Sequence, residues 1–174
     1  MEITKQNQPS GLGGWLILAG INIVFSIYLT TRTVVESYNS IMLSGIYTAL
    51  TSPESSSYHS GFKFCFIFEI ALNITFILLF IYLAYLFFTK NYKFPKVFIF
   101  IRIMCVVFII VDIFITISVF DVSVIDQEVI IDLVGAIIQC MICIPYFRKS
   151  ERVKNTFVQG KHKNFIADKN TVTE

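Results

Sequence analysis

The sequence predicts an all-α fold, a four-helix transmembrane bundle with a short amphipathic outer-loop helix and a basic juxtamembrane C-terminal helix. Three observations predict it. The 174-residue chain is 55% hydrophobic and 15% charged, with mean hydropathy +0.71. Soluble domains hold about 45–50% apolar and about 25% charged residues. Four apolar stretches, 14–31, 62–88, 96–120 and 129–147, each approach or exceed the roughly 20 residues that cross a hydrocarbon core. Finally, the positive charges fall almost entirely on one side of those stretches.

Four spans put both chain ends and the middle connection on one side. That side holds Lys5, Lys90, Lys93, Lys96, Arg148, Lys149, Arg152, Lys154, Lys161, Lys163 and Lys169, whereas the opposite side holds Arg32 and Lys63. Short loops rich in Lys and Arg stay in the cytoplasm, so both termini are expected there. The acids Glu36, Glu54, Asp121, Asp126, Glu128 and Asp132 fall on the other side. The expected organisation is a cytoplasmic segment over 1–13, one membrane domain over 14–147 and a cytoplasmic basic tail over 148–174.

The elements follow in order. Residues 1–10 are polar. The run Gly11-Leu-Gly-Gly-Trp-Leu-Ile-Leu18 allows a tight turn at the membrane surface, with Trp15 in the interfacial aromatic belt. The first span lacks a small-residue cleavage site and reads as an uncleaved anchor. In the first outer connection, 34–50 places apolar residues along neighbouring helical rows and predicts a short helix on the outer membrane surface. The Ser-rich 52–60 is an exposed turn region that tethers spans one and two. The connections 89–95 and 121–128 are short, which makes spans two, three and four successive antiparallel neighbours. Pro145 is expected to kink or end span four. Ser150 then caps a helix restart, with Glu151 in its first turn.

The four cysteines do not form a disulfide framework. Cys140 and Cys143 have a redox spacing but lie on an apolar helix, away from the watery helix N-terminus that thiolate chemistry needs. They read as small packing residues. His59 and His162 fall on opposite sides of the membrane, so no metal centre is expected, and no cofactor. No serine has a visible base, so no enzyme is expected. No nucleic-acid module is present, and the basic tail suits a membrane surface.

Two segments carry a resemblance. Gly11-Leu-Gly-Gly-Trp-Leu-Ile-Leu18 and Ile144-Pro-Tyr-Phe-Arg-Lys-Ser-Glu-Arg-Val-Lys-Asn-Thr-Phe-Val158 together resemble the family called domain of unknown function 2569, small bacterial multi-pass inner-membrane proteins. Its second signature is matched by Ser150, Arg152, Val153, Lys154, Thr156 and Phe157. The resemblance implies a bacterial cytoplasmic membrane and four helices, and it implies no reaction.

Ionisable residues inside spans are the default place to look for function. Glu69 lies about 10 Å and Asp112 about 12 Å below the outer edge, by a rise of about 1.5 Å per residue. Asn73 extends the polar face of Glu69 by one turn. Arg102 lies about 9 Å from the inner edge, with Asn22 and Gln139 at comparable depth, about 12 Å from their span ends. These residues form an outer acidic layer and an inner Arg–amide layer. Two close carboxyls cannot both ionise cheaply, so Glu69 and Asp112 form either a proton or cation site or a hydrogen-bonded helix contact. Arg102 either snorkels to inner phosphates or meets an internal partner. Arg148, Lys149, Arg152 and Lys154 are expected to contact anionic headgroups or a partner, with Val153 and Phe157 dipping into the interface.

The expected function is that of a non-enzymatic membrane protein that packs with lipid, a second copy or a membrane protein partner. The alternative is a small oligomeric channel or proton-linked carrier using the intramembrane carboxylates. The charge partition fixes the topology expectation: Ser55 outside, Ser150 and Thr171 in the cytoplasm. With the native cysteines replaced, Ser55→Cys should react with an impermeant maleimide in intact cells. Ser150→Cys and Thr171→Cys should react only after permeabilisation. Labelling at 171 from outside with none at 55 would invert the topology.

Overall fold

A computed structural model describes residues 11–120 and 127–159. The segments 1–10, 121–126 and 160–174 lie outside the described residues, and with them most of the expected N-terminal segment, much of the third connection and the end of the basic tail. Six α-helices run α1 Trp15–Tyr38, α2 Ile46–Thr51, α3 Phe62–Phe88, α4 Phe94–Phe120, α5 Gln127–Lys149 and α6 Glu151–Thr156. Four of the helical stretches are long and apolar enough to cross a membrane. α1 packs along α3, α4 along α5, and α3 beside α4.

The first helix is longer than expected. It passes Thr31 and ends at Tyr38, then continues through a π-helical turn, Asn39–Leu43. Arg32 pairs with Glu36 at 2.6 Å, one turn on, and supports the helix, while the Thr31 and Thr33 hydroxyls are satisfied on the carbonyls of Ile27 and Leu29. The surface helix expected over 34–50 is therefore divided. Its first half belongs to α1, and only α2 stands alone, started by Gly45 at φ +78°, a backbone angle that an L side chain rarely adopts. Tyr47 of α2 packs on Phe62 and Phe66 of α3, with centroids 6.4 and 5.8 Å apart. The amide of His59 donates to the Leu50 carbonyl at 2.9 Å, which closes the Ser-rich connection on itself.

The helices meet at one end, here termed basal, where α1 begins and α5 finishes. Lys90, at φ +50°, ends α3 in a left-handed cap, and the Asn91 amide reaches back to the Leu86 carbonyl at 3.0 Å. Asn91 Oδ1 accepts from the Lys93 amide. α4 then begins at Phe94, two residues before the expected Lys96, with Pro95 in its first turn, where a missing N–H is harmless.

Phe94 is fully buried at the centre of the core. Its ring stacks on Phe157 at 4.5 Å and meets Phe87, Phe98 and Phe147 at 5.2–5.7 Å. Leu16, Ile23, Leu83, Leu86 and Ile101 complete this layer. Helix α5 does not end at Pro145 but continues through it to Lys149. Proline removes one helical hydrogen bond, yet Phe147, two residues on, is held against Phe98 at 4.5 Å, and that packing keeps the last turn helical.

Beyond α5 the chain folds inward. Ser150 caps α6, its hydroxyl accepting from the Val153 amide, as the sequence predicts. Val153 and Phe157, expected to dip into the membrane interface, are instead buried at 1% and 4% exposure. Their shared face was legible, but it turns toward the phenylalanine cluster. Gln159 then pairs with the α3–α4 turn: its carbonyl accepts from Tyr92 at 3.1 Å and its amide donates to Lys90 at 3.2 Å.

This packing makes a prediction. Phe94→Ala should destabilise the fold by about 3–5 kcal/mol. Phe64→Ala, at a ring 71% exposed, should change it by less than about 0.5 kcal/mol. Unfolding in mixed micelles titrated with dodecyl sulfate measures both.

Candidate functional site

Arg102 points from α4 into the bundle and is only 6% exposed. Only apolar residues lie between it and Asp112 on the same helix, so Arg102 must find partners elsewhere. Its Nη2 donates to Asn22 Oδ1 and to Ser26 Oγ, the latter at 3.3 Å, both on α1. The guanidinium lies between two rings, 5.6 Å from the Phe80 centroid and 5.2 Å from that of Phe98. Aromatic faces attract a desolvated cation by about 2 kcal/mol or more. Its Nε is buried without a hydrogen-bond partner. Arg102 therefore does not snorkel along its own helix: its charge is held inside. The Cys140 thiol of α5 donates to the Arg102 carbonyl at 3.5 Å.

Asn22 of α1 and Gln139 of α5 line one groove between the two helices. The groove holds about 290 Å³, and its other walls include Trp15, Leu18, Phe98, Ile142, Tyr146 and Phe147. The inner layer is thus one construction, with Arg102 behind Asn22 and Gln139 on the α5 wall. Ser26 and Phe98 belong to it as well. Each sits four residues from an expected member, Ser26 from Asn22 and Phe98 from Arg102, and helical spacing alone could have found them. Phe80 had no such signal, because its approach depends on how α3 packs.

Glu69 and Asp112 line one small cavity of about 100 Å³ at the distal end, between α3 and α4, with Ile41, Phe66, Ile115 and Thr116 among the other walls. Asn73 does not serve the carboxyl of Glu69. Its amide donates to the Glu69 backbone carbonyl at 3.1 Å.

The basal basic residues divide. Arg148, Lys149 and Lys154 are exposed. Arg152 turns back over the start of α1, its Nη1 only 2.7 Å from where a Cβ on Gly14 would stand and 3.5 Å from one on Gly13. Gly14 also sits at φ +60°, so a side chain there would be strained twice over. Beside this contact, the Gly11 amide donates to Thr156 Oγ1 at 3.0 Å, and the same hydroxyl donates to the Gly11 carbonyl at 3.3 Å. The glycine run and the Ser150–Phe157 segment, far apart in sequence, therefore form a single clasp.

An all-α bundle of four membrane-crossing helices, clasped at one end by these two segments, defines the class of protein. The chain belongs to the family described as protein of unknown function (DUF2569), whose model matches residues 9–158 and so includes both halves of the clasp. No curated protein and no solved structure matches the chain.

The Arg102 cluster makes a prediction. Asn22→Leu strips a charge-assisted hydrogen bond from a buried cation and should cost about 1.5–3 kcal/mol. Adding Arg102→Met should restore most of that loss, because an apolar replacement for a buried charge is often neutral or better. A double variant no more stable than Asn22→Leu alone would show that Asn22 does not serve the charge. The micelle unfolding assay reads all three proteins.

Proposed function

We propose that the protein is a non-enzymatic, multi-pass component of a bacterial cytoplasmic membrane that works by packing against lipid or a membrane protein partner. One observation carries this reading. Helix α5 has 23 residues, and Phe147 alone is buried among them. Ile130, Ile131, Val134, Ile138, Met141 and Ile142 are all exposed. Such a length of apolar helix requires lipid or protein around it. The exposed Lys90, Lys93, Lys96, Arg148, Lys149 and Lys154 gather at the basal end, which supports a cytoplasmic basal face held by anionic headgroups. The polar groups at Arg102 support a non-catalytic role, since the Ser26 hydroxyl is engaged by a donor rather than activated by a base.

A second reading rests on the shared cavity of Glu69 and Asp112: a small oligomeric channel or proton-linked carrier. One experiment separates the two. Full-length protein and the Glu69→Gln/Asp112→Asn double variant are extracted in native lipid, and copurifying lipids and proteins are identified by mass spectrometry. Both are also reconstituted with a pH-sensitive dye. The packing reading expects the same companions for both proteins and no proton flux above empty vesicles. Flux in the wild type that disappears in the double variant would establish the carrier instead.

A further inference from the structure

We propose that the groove between α1 and α5 binds a fatty acid, with its carboxylate at the Asn22–Gln139 end and its chain running sideways into the bilayer. The inference deepens the lipid-packing reading above and rests on it.

A buried charge lies behind this groove. Arg102 is 6% exposed, and its Nε has no partner. Among the described residues it forms no ion pair with a carboxylate; the pair there is Arg32 with Glu36, on α1. A cation so placed raises the potential of everything next to it, because little solvent screens it.

Asn22 relays that potential. Arg102 has donors only, so the Asn22 oxygen must face the guanidinium, as the Arg102–Asn22 hydrogen bond has it. The Asn22 nitrogen is then the atom left to the groove that this residue lines. Gln139 lines the same groove from α5 and can turn its own amide nitrogen inward. The polar end therefore presents two N–H donors backed by a buried positive charge, which is the complement of an oxyanion.

The rest of the groove is apolar and selects the body of the ligand. Leu18 and Ile142, on opposite walls, are each 54% exposed, so the groove opens sideways toward the lipid. At its basal end the rings of Trp15 and Tyr146 stand 6.4 Å apart and bridge α1 to α5. The Asn22 level lies about 10 Å along the helix from Trp15. A phospholipid phosphate would have to leave the interface and drag its headgroup past that aromatic pair. A carboxylate is smaller, and the single chain behind it can enter from the side.

Trp15 is the chain's one tryptophan and lies on the groove wall, so it reports occupancy. Full-length protein in phosphatidylcholine vesicles is titrated with a brominated long-chain fatty acid while Trp15 fluorescence is followed. Saturable quenching is expected. The unbrominated acid should reverse it, whereas its methyl ester and phosphatidylglycerol should not. Gln139→Leu, which leaves the Arg102 cluster intact, should weaken binding by on the order of tenfold or more. Quenching that rises without saturation, and equally for acid and ester, would overturn the site. So would unchanged affinity in Gln139→Leu. Competition by phosphatidylglycerol equal to that by the acid would overturn the carboxylate assignment. Alkaline extraction of the same vesicles tests membrane insertion separately: a protein that stays in the membrane without binding the acid refutes only this site.

Discussion

Phe94 stands where four separate lengths of chain come together. Phe87 reaches it from the end of α3, Phe98 from one turn along α4, Phe147 from the end of α5 and Phe157 from beyond α6. Within a membrane, lipid tails are as apolar as side chains, so burying a phenylalanine from lipid gains little hydrophobic free energy. What ring-on-ring contact supplies there is close packing and the preferred tilted and stacked geometries of aromatic pairs, each contributing about 0.5–1.5 kcal/mol. At the basal surface, where water competes, the same rings also gain from burial. Placing the cluster at the end of the bundle uses both effects. It also explains why α5 remains helical through Pro145 and why the segment after α5 turns inward.

The clasp depends on that cluster and reinforces it. Val153 and Phe157 bring α6 down onto the phenylalanines, and only then can Thr156 reach Gly11 and Arg152 lie over Gly13 and Gly14. Gln159 adds two backbone bonds to the α3–α4 turn. The beginning of the first span, the middle turn and the end of the fourth span are thus joined at one level. The distal end has no equivalent among the described residues. There the buried side chains thin to Phe66, and the cavity around Glu69 and Asp112 is left between α3 and α4. Local stability follows buried contact density, and among the described residues that density is high at the basal end and low around the two carboxyls.

The four spans were legible because apolar length is a property of the local chain. The ends of the helices were less so. Thr33, Arg32 and Glu36 read as the polar start of a connection, yet the threonine hydroxyl is satisfied inside the helix and an ion pair one turn apart supports it. The depths of Arg102, Asn22 and Gln139 could be counted along their spans, but which way each faced could not, because rotation about a helix is fixed by its neighbours. The amphipathic face of Val153 and Phe157 was equally clear in sequence. Sequence pattern tells which residues share a face; it does not tell whether that face meets lipid or protein, and here it meets Phe94.

Helix α4 carries one charged residue in each of the two polar layers, and their separation dictates how the helix must be sheltered. Arg102 and Asp112 lie about 15 Å apart along the axis and roughly 80° apart around it, by ordinary helical rise and turn. They cannot neutralise each other, and they meet α3 at different levels. Arg102 meets the Asn22 amide and Ser26 hydroxyl of α1 and the Phe80 ring of α3, whereas Asp112 shares the cavity of Glu69, farther along α3. On insertion scales each charge costs about 2.5–3.5 kcal/mol near a helix centre, against about 0.3–0.6 kcal/mol returned by each apolar residue. Alone, α4 would therefore enter a bilayer with a small margin. The bundle offsets that cost, since α1 and α3 carry groups that meet the polar residues of α4. In the folded bundle the polar residues of α4 stay inside because α1 and α3 carry the groups that meet them.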